Sequence, residues 1–189
     1  EFMAAVLSAD MQNIDKVVTL VDEASRMGIH VNSPDVNQSE FKFRAVDESI
    51  VYGLGAVRGI GEGPVDAITT ERSKGDFVDL QDFCNRVDLR RANKKVIEAL
   101  VRSGSMDRLA SSRTGLDQIR GELLSRIQES IQGAEQSARD RSLGMHDMFG
   151  GVEARPIDLN SRDVQAMDKR TRLEGEKETL GLYLTGHPI

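Results

Sequence analysis

The sequence predicts a mainly α fold: a core of two helix-hairpin-helix units in tandem, a small β-hairpin over 41–52, and helices flanking both. Three observations carry this expectation. Apolar residues recur at spacings of three and four along most of the chain. Strict alternation is confined to the stretch around 41–52. Glycines at positions 53, 55, 59, 61 and 63 crowd into eleven residues just ahead of a helical segment.

Taken in order, residues 1–10 are strong helix formers. A second helix starts after Asn13, a good N-cap, and places Val17, Leu20, Val21, Ala24 and Met27 on one face; Gly28 ends it. Asn32-Ser33-Pro34-Asp35 is turn chemistry. Phe41, Phe43 and Ala45 alternate with polar residues, and Ile50, Val51 and Tyr52 follow Asp47-Glu48, which predicts the hairpin. Helices are expected over 65–72, 79–87 and 93–103, the first of them broken by Lys74-Gly75-Asp76. A long amphipathic helix runs from about Gly115, with Leu116, Ile119, Leu123, Ile127 and Ile131 as its apolar stripe. Beyond about Gly133 the sequence loosens. Gly144, Gly150, Gly151 and Pro156 punctuate a polar stretch read as a loop to about Arg162, and 163–184 reads as helical again.

The 189 residues are 39% hydrophobic and 30% charged, the composition of an ordered globular chain. Aromatic content is 4% with no Trp, which disfavours a single-strand binder that stacks bases on aromatic platforms. The net charge of −6 hides an asymmetry. Between Arg86 and Arg113, eight basic side chains face three acidic ones, so this window carries +5 and the rest of the chain −11. A basic island in an acidic chain points to a polyanion on one face only. Cys84, the only cysteine, excludes an internal disulfide framework and sits in the apolar pattern Leu80, Phe83, Val87 as a core thiol. There is no signal peptide and no apolar run of membrane-spanning length, so a cytoplasmic chain without membrane contact is expected. The chain opens in mid-helix and stops at Gly-His-Pro-Ile, which leads one to expect a larger parent.

The most informative segment runs from Ala56 to Ile68. Arg58-Gly59-Ile60-Gly61-Glu62-Gly63 forms a glycine-hydrophobic-glycine turn between an expected helix and the helix that contains Pro64 and Ala67. Glycines let a phosphate approach the backbone without Cβ interference, and Ile60 can point inward to pin the turn. The first N–H groups of the second helix have no intrahelical acceptor, and the positive end of the helix dipole lies behind them. Pro64 near the first turn sacrifices no hydrogen bond. Such a site holds phosphate through the main chain and cannot distinguish bases. A weaker echo lies at Leu100-Val101-Arg102-Ser103-Gly104-Ser105-Met106-Asp107. Gly104, Ser105 and Met106 would provide a second phosphate contact, and Arg58, Arg90, Arg91, Lys94, Lys95, Arg102 and Arg108 would add charge. Pro64 stands where a dinucleotide fingerprint needs its third glycine, and no Gly-Lys-Ser/Thr loop is present. His30, His146 and His187 are scattered without cysteines or paired carboxylates, so no metal site is expected. Asp35 and Glu62 read as turn-forming and solvated rather than as a catalytic pair.

Four collinear blocks then point to a family: 1–7 (Glu1 to Leu7), 33–37 (Ser33 to Asn37), 52–63 (Tyr52 to Gly63) and 178–188 (Glu178 to Pro188). In this order they resemble the alpha subunits of bacterial DNA polymerase III, the C-family replicative polymerases. The resemblance implies that 1–45 close the fingers domain and that 46–135 form the tandem helix-hairpin-helix region on duplex DNA. It makes 136–162 a loop and 163–189 a helical connector toward an oligonucleotide-binding fold. It also implies magnesium-dependent, two-metal nucleotidyl transfer by palm aspartates. No motif matching them is present, so no catalytic residue and no cofactor are expected in this chain.

Within the loosened stretch, Met145-His146-Asp147-Met148-Phe149 resembles the family's internal sliding-clamp peptide, with Met145 in place of its leading Gln. Met148 and Phe149 would fill a cleft on the clamp, the beta subunit. The partners so implied are the duplex backbone, the sliding clamp and other subunits of the polymerase III holoenzyme. Two alternatives stand beside this reading: a free-standing tandem helix-hairpin-helix protein of DNA repair, and a clamp-interaction module whose hairpins are only structural.

Overall fold

A computed structural model describes residues 1–111, 114–142 and 166–186. Among them are seven α-helices and one three-stranded sheet: α1 (Phe2–Ala9), α2 (Ile14–Arg26), β1 (His30–Asn32), β2 (Arg44–Val46), β3 (Ser49–Val51), α3 (Glu62–Arg72), α4 (Leu80–Arg86), α5 (Lys94–Arg102), α6 (Leu116–Ser142) and α7 (Lys169–Leu180). The mainly α expectation is met.

Local chemistry sets the helix starts. Asn13, Asp79, Asn93 and Asp168 each accept a hydrogen bond from the backbone N–H three residues on, which satisfies one orphan donor apiece. At the end of α2, Gly28 adopts φ +77, its N–H reaches the Ser25 carbonyl, and Ile29 N–H reaches Ala24. This is a Schellman closure. It turns the chain away so that Met27, expected on the apolar face, is 61% exposed, and Ile29 packs inward instead.

β2 and β3 pair antiparallel across the two-residue turn Asp47-Glu48, where Asp47 takes φ +52. This is the expected hairpin, shorter than 41–52. Phe41 and Phe43 stay outside its strands and pack as core side chains, Phe43 with its ring centroid 4.6 Å from that of Tyr52. A third strand, β1, pairs parallel with β3 in the order β1-β3-β2.

The helical layer is held by α6, which crosses α4 and α5 and contacts α7. Leu123 and Ile127 are buried in its stripe, with Ile119 and Ile131 partly covered. α6 runs on past Gly133 to Ser142. Gly133 lies against the Gln81 side chain of α4, and a Cβ there would come 3.2 Å from its amide. The glycine that looked like a loosening of the helix is a close-packing point.

Cys84 is buried beside Phe83, and burial, then the nearby Asp79 charge, pushes its thiol up to about 12. Only about one thiol in ten thousand is ionised at pH 8. Iodoacetamide at pH 8 is therefore expected to leave Cys84 unmodified over hours in buffer and to alkylate it within minutes in urea. Equal rates in the two media would mean that the α4 core opens readily.

Candidate nucleic-acid interface

The two hairpins meet different fates. Ahead of the first, no α-helix forms. Leu54–Ala56 make a single 3₁₀ turn, because Gly53 and Gly55 are held against the crossing segment 41–43. A Cβ on Gly53 would lie 2.6 Å from the Lys42 carbonyl carbon, and one on Gly55 would lie 2.4 Å from the Phe41 ring. These two glycines serve packing.

Gly59, Gly61 and Gly63 serve another purpose: nothing lies within 4 Å of a Cβ built on any of them. Gly59 takes φ +88, and Gly61 is the N-cap of α3. Ile60 is 5% exposed and anchors the turn inward, as expected. Among the described residues, the amides of Gly59, Gly61, Glu62 and Gly63 find no acceptor. Pro64, third in α3, has no N–H to satisfy. The loop thus presents free N–H groups at the positive end of an eleven-residue helix. A groove of about 500 Å³ beside it is lined by Asn13, Ile14, Asp15, Arg58 and Gly59. Arg58 is exposed, and its amide donates to the Thr179 carbonyl at 2.8 Å. Glu62 is exposed in the first turn of α3.

The second turn faces inward. Gly104 has φ +85, but its open side is filled: a Cβ would lie 2.5 Å from Arg120 Nη2. Ser105 and Met106 are buried, the Ser105 N–H donates to Leu100, and its carbonyl accepts from Val36. The surface these residues were expected to offer is closed.

Arg120, 1% exposed, makes a two-pronged contact with Asp107 (Nε to Oδ1 and Nη2 to Oδ2, both 2.9 Å) and donates Nη1 to Glu176 Oε1 at 2.8 Å. Burial pushes the Asp107 carboxyl up against the opposing pull of these hydrogen bonds and of the Arg120 charge. Sequence reading missed this cluster. A signal was present: Leu116, Arg120, Leu123 and Ile127 share the four-three-four spacing of the apolar face of α6.

The basic island divides as well. Arg86 is consumed internally, donating to the carbonyls of Glu71, Gly75 and Asp76 and lying 4.6 Å from the Phe77 ring centroid. Arg90, Arg91, Lys94 and Lys95 are exposed on the α4–α5 connection and the first turn of α5. Arg90 pairs with Asp88, whose carboxyl is held below its usual range by the Arg90 hydrogen bonds, and Lys94 reaches Gln128 at 3.1 Å. Arg102 pairs with Glu178, and Arg108 with Asp35, whose carboxyl burial pushes up. The structure thus joins Arg58 to the Gly59–Gly63 loop and gathers four cations at the α5 start.

Among the described residues no group of three or more His, Cys, Asp or Glu could hold a metal ion, and no helix is long and apolar enough to cross a membrane. The peptide 145–149 and His187-Pro188 lie outside the described residues.

A family model described as a helix-hairpin-helix motif matches residues 28–116. All of this chain aligns with proteins named DNA polymerase III subunit alpha: 52% identical over 201 residues in Pseudomonas aeruginosa, 45% over 193 in Vibrio cholerae and 44% over 193 in Escherichia coli. The chain spans 16–17% of the length of these relatives.

Proposed function

The chain belongs to the family of DNA polymerase III alpha subunits, and we propose that it contributes a sequence-independent grip on the backbone of duplex DNA. The observation that carries this reading is the exposed loop Gly59–Gly63. Its unpaired amides stand at a helix N-terminus, and no side chain blocks them. A phosphate meets there the donors and the dipole that it needs. Arg58 adds charge beside the loop, and Arg90, Arg91, Lys94 and Lys95 form a second cationic surface. Gly104, Ser105 and Met106 are buried and have no contact role in this reading. No step of nucleotidyl transfer is assigned to these residues; magnesium and its aspartates would belong to other parts of a polymerase. Other holoenzyme subunits are proposed partners on the strength of the relatives alone.

Fluorescence anisotropy of a labelled random-sequence duplex, titrated at several salt concentrations, tests the grip. Binding should be indifferent to sequence, with a log–log salt slope of about −0.9 per phosphate contacted. Absence of binding at low salt would remove the proposal. Glu62 offers a finer check, because it is an exposed acid in the first turn of α3, next in sequence to Gly61 and Gly63. Glu62→Gln is expected to tighten duplex binding about two- to fivefold at low salt, an advantage that fades as salt screens the charge. Weaker binding would mean that no phosphate comes near the α3 start.

A second contact, with the sliding clamp, is proposed for Met145 to Phe149 on the resemblance of the peptide. The paired change Met148→Ala and Phe149→Ala is expected to weaken clamp binding by about tenfold or more in surface plasmon resonance. Unchanged binding would assign the clamp contact elsewhere.

A further inference from the structure

We infer that α7 sets the conformation of the first hairpin, with the buried Glu176 as the positioning residue. The last carbonyls of a helix have no intrahelical donors, and α7 gives two of its own to the hairpin. Thr179 accepts the Arg58 amide at 2.8 Å, one residue before Gly59. Leu180 accepts the Tyr52 hydroxyl at 3.4 Å, one residue before Gly53. Both ends of the segment 53–58 are therefore referenced to the same helix end.

Glu176, one turn earlier, decides where that helix end lies. It is fully buried and held from several directions. Oε1 accepts from Arg120 and from the Thr185 hydroxyl, with Arg172 at 3.7 Å, and Oε2 accepts the amides of Leu184 (2.9 Å) and Thr185 (3.2 Å). Arg120 in turn binds Asp107 and the Arg102 carbonyl, so the inward-facing second turn is the receptor for this cluster.

Little slack exists along the way. A Cβ on Gly175 would sit 3.3 Å from Arg102 Cβ, and one on Gly181 would sit 2.8 Å from Ile14 Cγ2. With α7 seated this closely on α5 and α2, a shift at Glu176 passes to the Thr179 carbonyl three residues on. Buried ion clusters contribute little over apolar packing but strongly disfavour arrangements that leave a charge unpaired. The second turn thus acts as a joint that fixes α7, and α7 fixes the loop of the first.

The binding arm of the test rests on the DNA reading above; the structural arm does not. Glu176→Gln and the milder Thr185→Val are compared with the parent 189-residue chain by amide hydrogen exchange in NMR and by duplex anisotropy. Both variants are expected to raise the exchange rate of the Arg58 amide by about tenfold, with the buried Val21 amide of α2 unchanged, and to lower apparent duplex affinity in proportion to the population of the displaced loop. Arg58 exchange equal to the parent's in folded Thr185→Val overturns the inference, and this variant decides alone if Glu176→Gln does not fold. A parent chain that ignores duplex DNA while its Arg58 amide responds would sink the DNA reading and uphold the positioning role.

Discussion

Replacing Gly61 and Gly63 together by valine is expected to leave the fold standing and to abolish duplex binding. Gly61 has φ −93 and Gly63 lies in the first turn of α3, so neither needs a glycine conformation, and both have open space where side chains would go. The fold tolerates the change. Valine is a poor N-cap and costs up to about 1 kcal/mol at Gly61, and its better helix propensity at Gly63 offsets a few tenths of that. The phosphate site does not tolerate it. An oxygen must come within about 3 Å of the amides of Gly61, Glu62 and Gly63 to be bound, and branched side chains now fill that space. Losing two charge-assisted hydrogen bonds at roughly 1.5–3 kcal/mol each corresponds to more than a hundredfold in affinity. Anisotropy at low salt with a parallel thermal melt checks both halves. Unchanged binding would mean that the loop never touches DNA. Valine at Gly53 or Gly55 supplies the contrast, since there it would collide with Lys42 or Phe41 and lower the melting temperature.

That contrast also marks what the sequence could disclose. Glycines at 53, 55, 59, 61 and 63 are alike as letters. Only the path of residues 41–43, fixed by long-range packing, separates the two that bury a crossing chain from the three that face solvent. The Asn13 cap was legible because its partner lies three residues away, and the structure adds Asp79 and Asn93 as caps of the same local kind. β1 was not legible, because three residues are too few for alternation and its partner β3 is distant in the chain. The first hairpin could be read from its spacing, since exposure was the expected default for such a turn. The second deceived because its neighbour is not local. Gly104 looks open until Arg120, sixteen residues on, is brought against it. Charge behaves the same way: Arg86 and Arg90 are equivalent in the sequence, yet one binds three carbonyls inside the fold and the other is 92% exposed.

Arg120→Ala should be the most destabilising single change in the cluster, at about 3–5 kcal/mol by urea denaturation. The substitution leaves Glu176, with no exposed side-chain surface, and Asp107, 19% exposed, without their shared cation; Arg172, 3.7 Å from Glu176, is the charge that remains. Exposed pairs make the comparison. Arg170–Glu174 has the same 2.9 Å contact with side chains 82% and 61% exposed, and Arg170→Ala is expected to cost under about 1 kcal/mol. The deficit of Arg120→Ala should also depend on pH, with a definite sign. Burial already pushes the Asp107 carboxyl up, and Arg120 supplies the opposing hydrogen bonds and charge. Without Arg120 the folded-state pKa of Asp107 rises further above its unfolded value. A carboxyl raised in this way is tolerated once protonated and becomes costly as pH rises through its folded pKa. The gap between variant and parent should therefore narrow as pH falls from 7 toward 5. A double-mutant cycle with Glu176→Gln locates the coupling, because the second substitution costs less once Arg120 is gone. A small, pH-independent loss for Arg120→Ala would mean that water reaches Asp107 and Glu176, and that the joint between the second turn and α7 is a solvated contact rather than a buried one.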